Sequence, residues 1–336
     1  MGKDPWPVIP TKTRNRQHGS ETSSLHLLPN GQLYTVSTLG RESRFTPGCD
    51  DLEFDVDQQL DIKLCLHMDV SSDGQLAVLG GDEIVVREIM TGKVRKRWDP
   101  GSRLWGLSLS EDRRHLVVSR EPNIFDLYQM VNFQLVGSTT EGERCAQVRF
   151  VNNESQDILL ATSFQGGSVI YCIDLAYGFI AGLPTGLDTG CDVIGDLEVS
   201  PNKQFVAYSD VVMRIGELVE EEKFVDEGQR PKKFIIREPR GPTKYFEGML
   251  INSWSRPFWL TDRLLAASPP GGAITKTLSQ MAPETFVFDV QTGKVVAQLE
   301  VREQVRNGFA FDRERSILYG ACRNGDVFGW DVSGLL

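Results

Sequence analysis

The chain has 336 residues, of which 40% are hydrophobic and 24% charged, and a formal net charge of −10. This is the composition of a globular protein with room for one large domain or two ordinary ones. The acidic balance disfavours a nucleic-acid partner, which needs a basic footprint, and no apolar run approaches the roughly 18 residues of a membrane span.

Residues 1–23 are polar and contain Pro5, Pro7 and Pro10, which predicts an extended arm. The segment lacks the apolar core of a signal peptide, and Trp6 stands where a myristoylation site wants Ser or Thr. Cytoplasm or nucleus is the expected location. Val8-Ile9 is free to pair with a sheet edge. The cysteines Cys49, Cys65, Cys145, Cys172, Cys191 and Cys322 form no C-x-x-C pair. They are expected to be buried free thiols in a reducing compartment.

From Leu25 the chain falls into short apolar runs separated by polar turns. The most regular copy is residues 66–99: Leu66–Val70, the turn Ser72-Asp73-Gly74, Gln75–Leu79, Gly80-Gly81-Asp82, Glu83–Ile89, Thr91-Gly92-Lys93 and Val94–Trp98. Asp-Gly, Gly-Gly and Thr-Gly between β-branched runs predict hairpins. Four such strands cannot bury both faces of a sheet alone and need neighbours of the same kind.

The copy before it has Leu25–Leu28, Gln32–Val36, Glu53–Val56 as third strand and Leu60–Leu64 as fourth. The third copy has Leu104–Leu109, His115–Val118, Asn123–Tyr128 and Phe133–Val136. The fourth has Ala146–Phe150, Ile158–Thr162, Ser168–Asp174 and Phe179–Ala181. The fifth has Gly195–Val199, Gln204–Tyr208, Val211–Leu218 and Lys233–Ile236. The sixth has Met249–Trp254, Leu264–Ala267, Glu284–Val290 and Val295–Val301, and the last has Gly308–Phe311, Ser316–Tyr319 and Asp326–Asp331. First strands thus recur about every 40 residues, the period of a propeller. No long helical pattern competes. The expected fold is all-β: a seven-bladed β-propeller with blades near 24–64, 65–102, 103–143, 144–190, 191–242, 243–303 and 304–336.

Several strand-three endings pair an aromatic or aliphatic residue with Asp: Trp330-Asp331, Phe288-Asp289, Ile173-Asp174 and Phe125-Asp126. Gln291-Thr292-Gly293-Lys294 and Met90-Thr91-Gly92-Lys93 follow two such strands. In these features residues 24–336 resemble the WD40-repeat family. The Gly-His pair before strand one is absent from every copy, so the chain resembles a divergent member, without the hydrogen-bond network built on that His. The last copy stops at strand three. The resemblance implies that the N-terminal segment supplies its fourth strand, from Pro7–Lys12 or Gly19–Ser24, and so hides the sheet edges.

Motifs for catalysis are missing: there is no G-x-S-x-G, P-loop or zinc-protease signature. Cys65 and His67 share a strand face, but no further ligands are spaced nearby, so His67 is read as a packed strand residue and no metal or cofactor is expected. The Trp98-Asp99 and Trp330-Asp331 pairs lack the Arg two residues on that a cullin-ligase receptor would show. They are read as structural.

In a propeller, loops joining strands two to three and four to one share one face, here called the upper face. Loops one to two and three to four share the lower. The upper set carries Arg41, Arg44, Phe45, Arg103, Trp105, Arg120, Arg144, Phe164, Arg306 and Arg323, with Glu42, Asp82 and Glu121 among its acids. The lower set carries Asp57, Asp73, Glu111, Asp112, Glu154, Asp157 and Glu220–Glu222. Arginine with exposed aromatics is the composition of binding hot spots, and guanidinium forks suit carboxylates and phosphates.

The expected function is a non-catalytic protein-interaction scaffold. Its partner-binding residues are Arg44, Phe45, Arg103, Trp105, Arg120, Arg144, Phe164, Arg306 and Arg323, and its partner an acidic or phosphorylated segment. The alternatives are a propeller enzyme with acids converging in the central channel, and a structural subunit held through its sides. Two insertions, Glu217–Lys233 and Pro269–Met281, exceed hairpin length and read as solvated loops.

Overall fold

Strand-forming runs of two to ten residues, cut by turns every few residues, leave the chain no choice but sheets. The computed structural model describes residues 6–8, 12–14, 22–47, 52–122, 124–139, 145–153, 156–163, 170–174, 183–184, 197–209, 213–222, 232–237, 257–268, 284–300, 305–322 and 325–336. Apart from one 3₁₀ turn at Ser333–Leu335, the regular structure among these residues is all β.

The strands form seven sheets. Blade one is Thr22–Leu27, Leu33–Ser37, Arg41–Pro47 and Leu52–Gln59. Blade two is His67–Val70, Leu76–Gly80, Ile84–Glu88 and Val94–Trp98. Blade three is Leu104–Leu109, His115–Arg120, Ile124–Gln129 and Gln134–Thr139. Blade four is Cys145–Asn153, Gln156–Ser163, Ile170–Asp174 and Leu183–Pro184, and blade five is Leu197–Val199, Phe205–Ser209, Met213–Glu222 and Lys232–Arg237. Blade six is Phe258–Trp259, Leu264–Ala267, Glu284–Asp289 and Lys294–Glu300. Blade seven is Val305–Asp312, Ile317–Cys322 and Val327–Asp331, completed by Lys12–Arg14.

Lys12–Arg14 pairs antiparallel with Val327–Gly329, so the N-terminal segment supplies the outer strand of the last blade. Only Lys12 belongs to either stretch expected to do so; Thr22–Ser24 opens blade one instead. Trp6–Val8 adds a fifth strand to blade six, parallel to Ala297–Leu299.

Three strand readings are corrected. In blade one the third strand is Arg41–Pro47, not Glu53–Val56, which lies within the fourth. A run as polar as Arg-Glu-Ser-Arg looks like a loop, yet Glu42 and Ser43 are buried in it. In blade six the innermost strand of the sheet is Phe258–Trp259, while Met249–Trp254 lies outside the described residues. In blade four the outer strand is Leu183–Pro184 rather than Phe179–Ala181, and the latter also lies outside them. The Glu217–Lys233 insertion is sheet at both ends, since Glu217–Glu222 pairs with Lys232–Arg237. Residues 223–231 and 269–281 lie outside the described residues.

The core sits in the seams between blades. One cluster joins Tyr34 and Val36 of blade one to Met68, Ala77, Leu79 and Val85 of blade two. Another joins Val78, Ile84 and Val86 of blade two to Leu107, Leu116 and Val118 of blade three. A third joins Leu25, Leu33 and Phe45 of blade one to Ala310, Tyr319 and Val327 of blade seven. Each fully buried large apolar side chain contributes about 1.5–3 kcal/mol relative to exposure, so the blades hold one another rather than themselves. Polar stitches cross the same seams. Asp69 Oδ2 accepts from the Leu109 N–H at 2.8 Å, and Trp330 Nε1 donates to the Glu300 carbonyl at 3.0 Å. Gly81 fits only because it lacks a side chain: a Cβ there would lie 2.0 Å from the Leu64 carbonyl oxygen.

Cys65 and Cys322 are buried free thiols, and the Cys65 thiol contacts the His67 carbonyl at 3.5 Å. The side chains of the other four cysteines lie outside the described residues. No helix among the described residues is long and apolar enough to cross a membrane.

Candidate interaction surface

On the upper face the connection from blade two to blade three is tied down at both ends. Asp99 Oδ1 accepts from the Gly101 N–H at 2.6 Å, where Gly101 has φ +79°. The Ser102 hydroxyl donates to the Glu121 carbonyl at 2.5 Å, and the Glu121 N–H donates to the Arg103 carbonyl at 2.9 Å. This four-to-one connection is therefore zipped to the two-to-three turn of blade three. The exposed Arg103 guanidinium is left 4.5 Å above the centre of the Trp105 ring. Stacking of this kind is favourable and presents a flat cation to solvent.

Arg120 lies beside this pair but is committed elsewhere. Its Nε donates to Asp126 Oδ2 at 2.6 Å, and its Nη1 reaches the Ser102 hydroxyl at 3.5 Å. Asp126 is buried and also accepts from the Ser138 hydroxyl at 2.7 Å. Arg120 thus braces the connection that carries Arg103.

Of the nine expected binding residues, the structure brings Arg103, Trp105 and Arg120 together. Phe45 is corrected: it is 0% exposed, packed among Leu25, Leu33 and Leu52, and cannot touch a partner. Arg44 is corrected as well. It sits within strand Arg41–Pro47, and its Nη1 lies 3.4 Å from Met90 Sδ of blade two, off the upper face. Arg144, Phe164 and Arg323 lie outside the described residues, as does the side chain of Arg306, whose backbone is in the first strand of blade seven.

Among the described side chains, the acids expected on the lower face are paired or placed elsewhere. Asp57, assigned to the lower face, belongs beside Arg41, which it grips with both oxygens at 2.7 Å. The lower-face acids Asp73, Glu111 and Asp112 pair with Arg113, Lys203 and Arg114. On the lower face a cavity of about 290 Å³ is lined by residues of the first strands and the turns that follow them in blades two to five, and its carboxylates Glu111 and Glu198 face Lys203 and Arg149.

One feature went unread in the sequence. A groove of about 500 Å³ runs between blades one and two, from the turn Met90-Thr91-Gly92 to Leu60-Asp61-Ile62. Arg44, Arg87 and Arg97 line it. Its only sequence signal is Arg87 in the otherwise apolar run Ile84-Val85-Val86.

No family model matches the chain, and no curated protein matches it. Among solved structures it is similar to the β-propeller domain of Cps50 (Swd1) from Myceliophteria thermophila. The TM-score is 0.68 at 14% identity, over 97% of this chain and 100% of that one. In all, 1593 solved chains match, which marks a shared architecture rather than a shared activity. The fold of this chain is a β-propeller.

Proposed function

We propose that the protein is a non-catalytic interaction scaffold that holds an acidic or phosphorylated protein segment on its upper face. The observation that carries this reading is the Arg103–Trp105 stack, presented by a connection that Ser102 and Glu121 tie down. A pre-positioned guanidinium loses little freedom on binding, and an aromatic beneath it adds contact area. Arg120 acts by bracing, through Asp126 and Ser102, and not by touching the partner. Arg144, Phe164, Arg306 and Arg323, expected on the same side from their order in the chain, are proposed to extend the surface. The ion pairing of Glu111 and Glu198 supports this reading over an enzyme working from the lower-face cavity, since each acid there faces a base.

The test is affinity capture with quantitative mass spectrometry on wild type and on the triple variant Arg103→Glu, Arg144→Glu, Arg306→Glu. A defined set of proteins should be lost from the variant. Phosphatase treatment of the lysate separates phosphorylated from simply acidic partners. An unchanged captured set would remove the proposal.

A further inference from the structure

The groove between blades one and two has features of a ligand site that the upper face does not share. It spans the height of the blade, beside the five-residue outer strand Val94–Trp98. Five extended residues cover roughly 17 Å. Val56, Leu60, Ile62, Leu79, Val85 and Ile89 give it an apolar floor, with the exposed Met90 and Val94 at its rim.

Gln58, Gln59, Asp61 and Thr91 also line this trough, and three guanidinium groups project into it. Arg97 is already matched, by Asp61 and Glu83, each at 3.3 Å. Arg87, 4% exposed, spends Nη1 on Glu42 at 3.1 Å, while its Nε is buried with no hydrogen-bond partner. The third, Arg44, has no carboxylate partner among the described residues. Its Nη1 rests on the Met90 sulfur, and its Nε too is buried and unpartnered. Buried N–H groups normally find acceptors, because leaving them empty costs free energy. Two guanidinium N–H groups on one trough lack an acceptor, and Glu42 Oε1, on the carboxylate paired with Arg87, lacks a donor.

We propose that this groove binds an extended peptide segment of alternating acidic and apolar residues. Its carboxylates would accept from Arg44 and Arg87, and its apolar side chains would lie on the floor beside Val56 and Val94. The occupant is argued from complementarity. Successive side chains of an extended chain point to opposite sides, which suits a trough with guanidinium groups on one part of its lining and aliphatic groups on another. The rim strand is the outermost of its sheet; its Arg95 and Arg97 are paired with Glu88 and with Asp61 and Glu83, and Lys96 adds a further cation. The site is separate from the Arg103–Trp105 surface and stands or falls independently of it.

Fluorescence anisotropy with a fluorescein-labelled peptide Glu-Val-Glu-Val-Glu-Val tests the proposal, with its Gln-for-Glu counterpart as comparison. Wild type should bind the acidic peptide at least tenfold more tightly than the neutral one at low salt. R44Q removes the unpaired charge, and V94W fills the trough from the exposed rim. Each should weaken binding at least tenfold while K294E, at the exposed start of strand Lys294–Glu300 of blade six, binds like wild type; R103E is measured alongside to report capture by the upper face. Thermal melts verify folding; should V94W melt early, T91W at the turn is the second plug. Absence of discrimination between the peptides overturns the proposal, as do unchanged binding by R44Q and V94W and loss confined to R103E. Citrate, titrated alone, supplies the last arm. Arg44-dependent citrate binding without peptide binding would make the groove a small-anion site and overturn the peptide occupant.

Discussion

The Arg87 guanidinium of blade two lies 3.1 Å from the Glu42 carboxylate of blade one, and both side chains are buried. Gln58 Nε2 donates to the same Glu42 oxygen at 2.6 Å. The Tyr34 hydroxyl is buried beside them; burial foremost, and then the Glu42 charge, hold its pKa well above the usual phenol range. Gly92, at φ +72°, has Arg87 Nη2 3.1 Å from the place a Cβ would occupy, so the turn leaves room for the guanidinium to pass. The pair locks two blades together where an all-apolar seam would otherwise run.

Breaking that pair leaves one buried charge without its counterion, which costs about 3–5 kcal/mol. Glu42→Gln and Arg87→Met should each lower stability by that order in urea unfolding. The double variant should lose clearly less than the sum, because neither charge is then stranded. Additive losses would mean that the two residues act separately.

The lower-face turns repeat one device. The Ser71 hydroxyl donates to Asp73 at 2.6 Å and accepts from the Leu76 N–H at 2.9 Å. Ser110 does the same with Asp112 and His115 at 2.7 and 2.9 Å, and Ser200 with Asn202 and Phe205 at 2.7 and 2.9 Å. The next residues, Gly74, Arg113 and Lys203, all have positive φ near 60° to 67°. Replacing any of these buried serines by Ala removes a hydroxyl that satisfies one backbone donor and orients one carboxylate or, at Ser200, one side-chain amide. Each substitution should cost about 1–2 kcal/mol, read as a shift in the urea midpoint at unchanged slope. Ser72→Ala, one residue along and exposed, should cost less.

These turns also show what the sequence made legible. Ser-x-Asp or Ser-x-Asn between two apolar runs is a local signal, so the first and second strands of blades two, three and five could be read directly. The aromatic–Asp endings were local too: Asp126 and Asp289 each take a nearby Arg, at position 120 and 263. Blade one was misread because its third strand buries Glu42 against a base from the next blade, a relation no local pattern contains. Phe258–Trp259 is two residues long, too short to show a period. The candidate surface divided in the same way. Trp105 and Arg103 follow from the end of an edge strand, whereas Arg44 and Phe45 alternate on a strand that looked like a loop.

Asp289 gives the acid limb of stability. The Arg263 guanidinium and the N–H groups of Thr292 and Gln291 hold its carboxyl at about 2, against the upward pull of burial. A depressed folded value means that the stabilisation is complete above the ordinary Asp value of about 4 and is lost as pH falls toward 2. Arg263 is 57% exposed, so solvent screening keeps the contribution well below what the shift alone would imply. Asp289→Asn should melt below wild type at pH 7, and the gap should close between pH 4 and pH 2. A gap that stays constant over that range would show that Asp289 does not titrate there.

Tyr319 gives the alkaline limb. It is 0% exposed, in the seam between blades seven and one, and its hydroxyl has no hydrogen-bond partner. Burial, with a smaller push from Asp312, raises its pKa to about 12. The unfolded chain releases this proton near pH 10 and the folded chain near 12, so stability is lost as pH rises between them. Two units correspond to about 2–3 kcal/mol, an upper bound for this site. Tyr319→Phe deletes the proton and an unsatisfied polar atom while keeping the ring. At pH 7 the variant should match or exceed wild type, because burying an unpaired hydroxyl costs free energy. Above pH 10 its advantage should grow, as only wild type carries the ionisable group at this position. Other buried tyrosines, Tyr34 among them, are common to both proteins and cancel in the difference. Urea midpoints of the pair at pH 7, 9, 10 and 11 measure it. A flat difference across that series would mean that the Tyr319 hydroxyl reaches water in the folded protein.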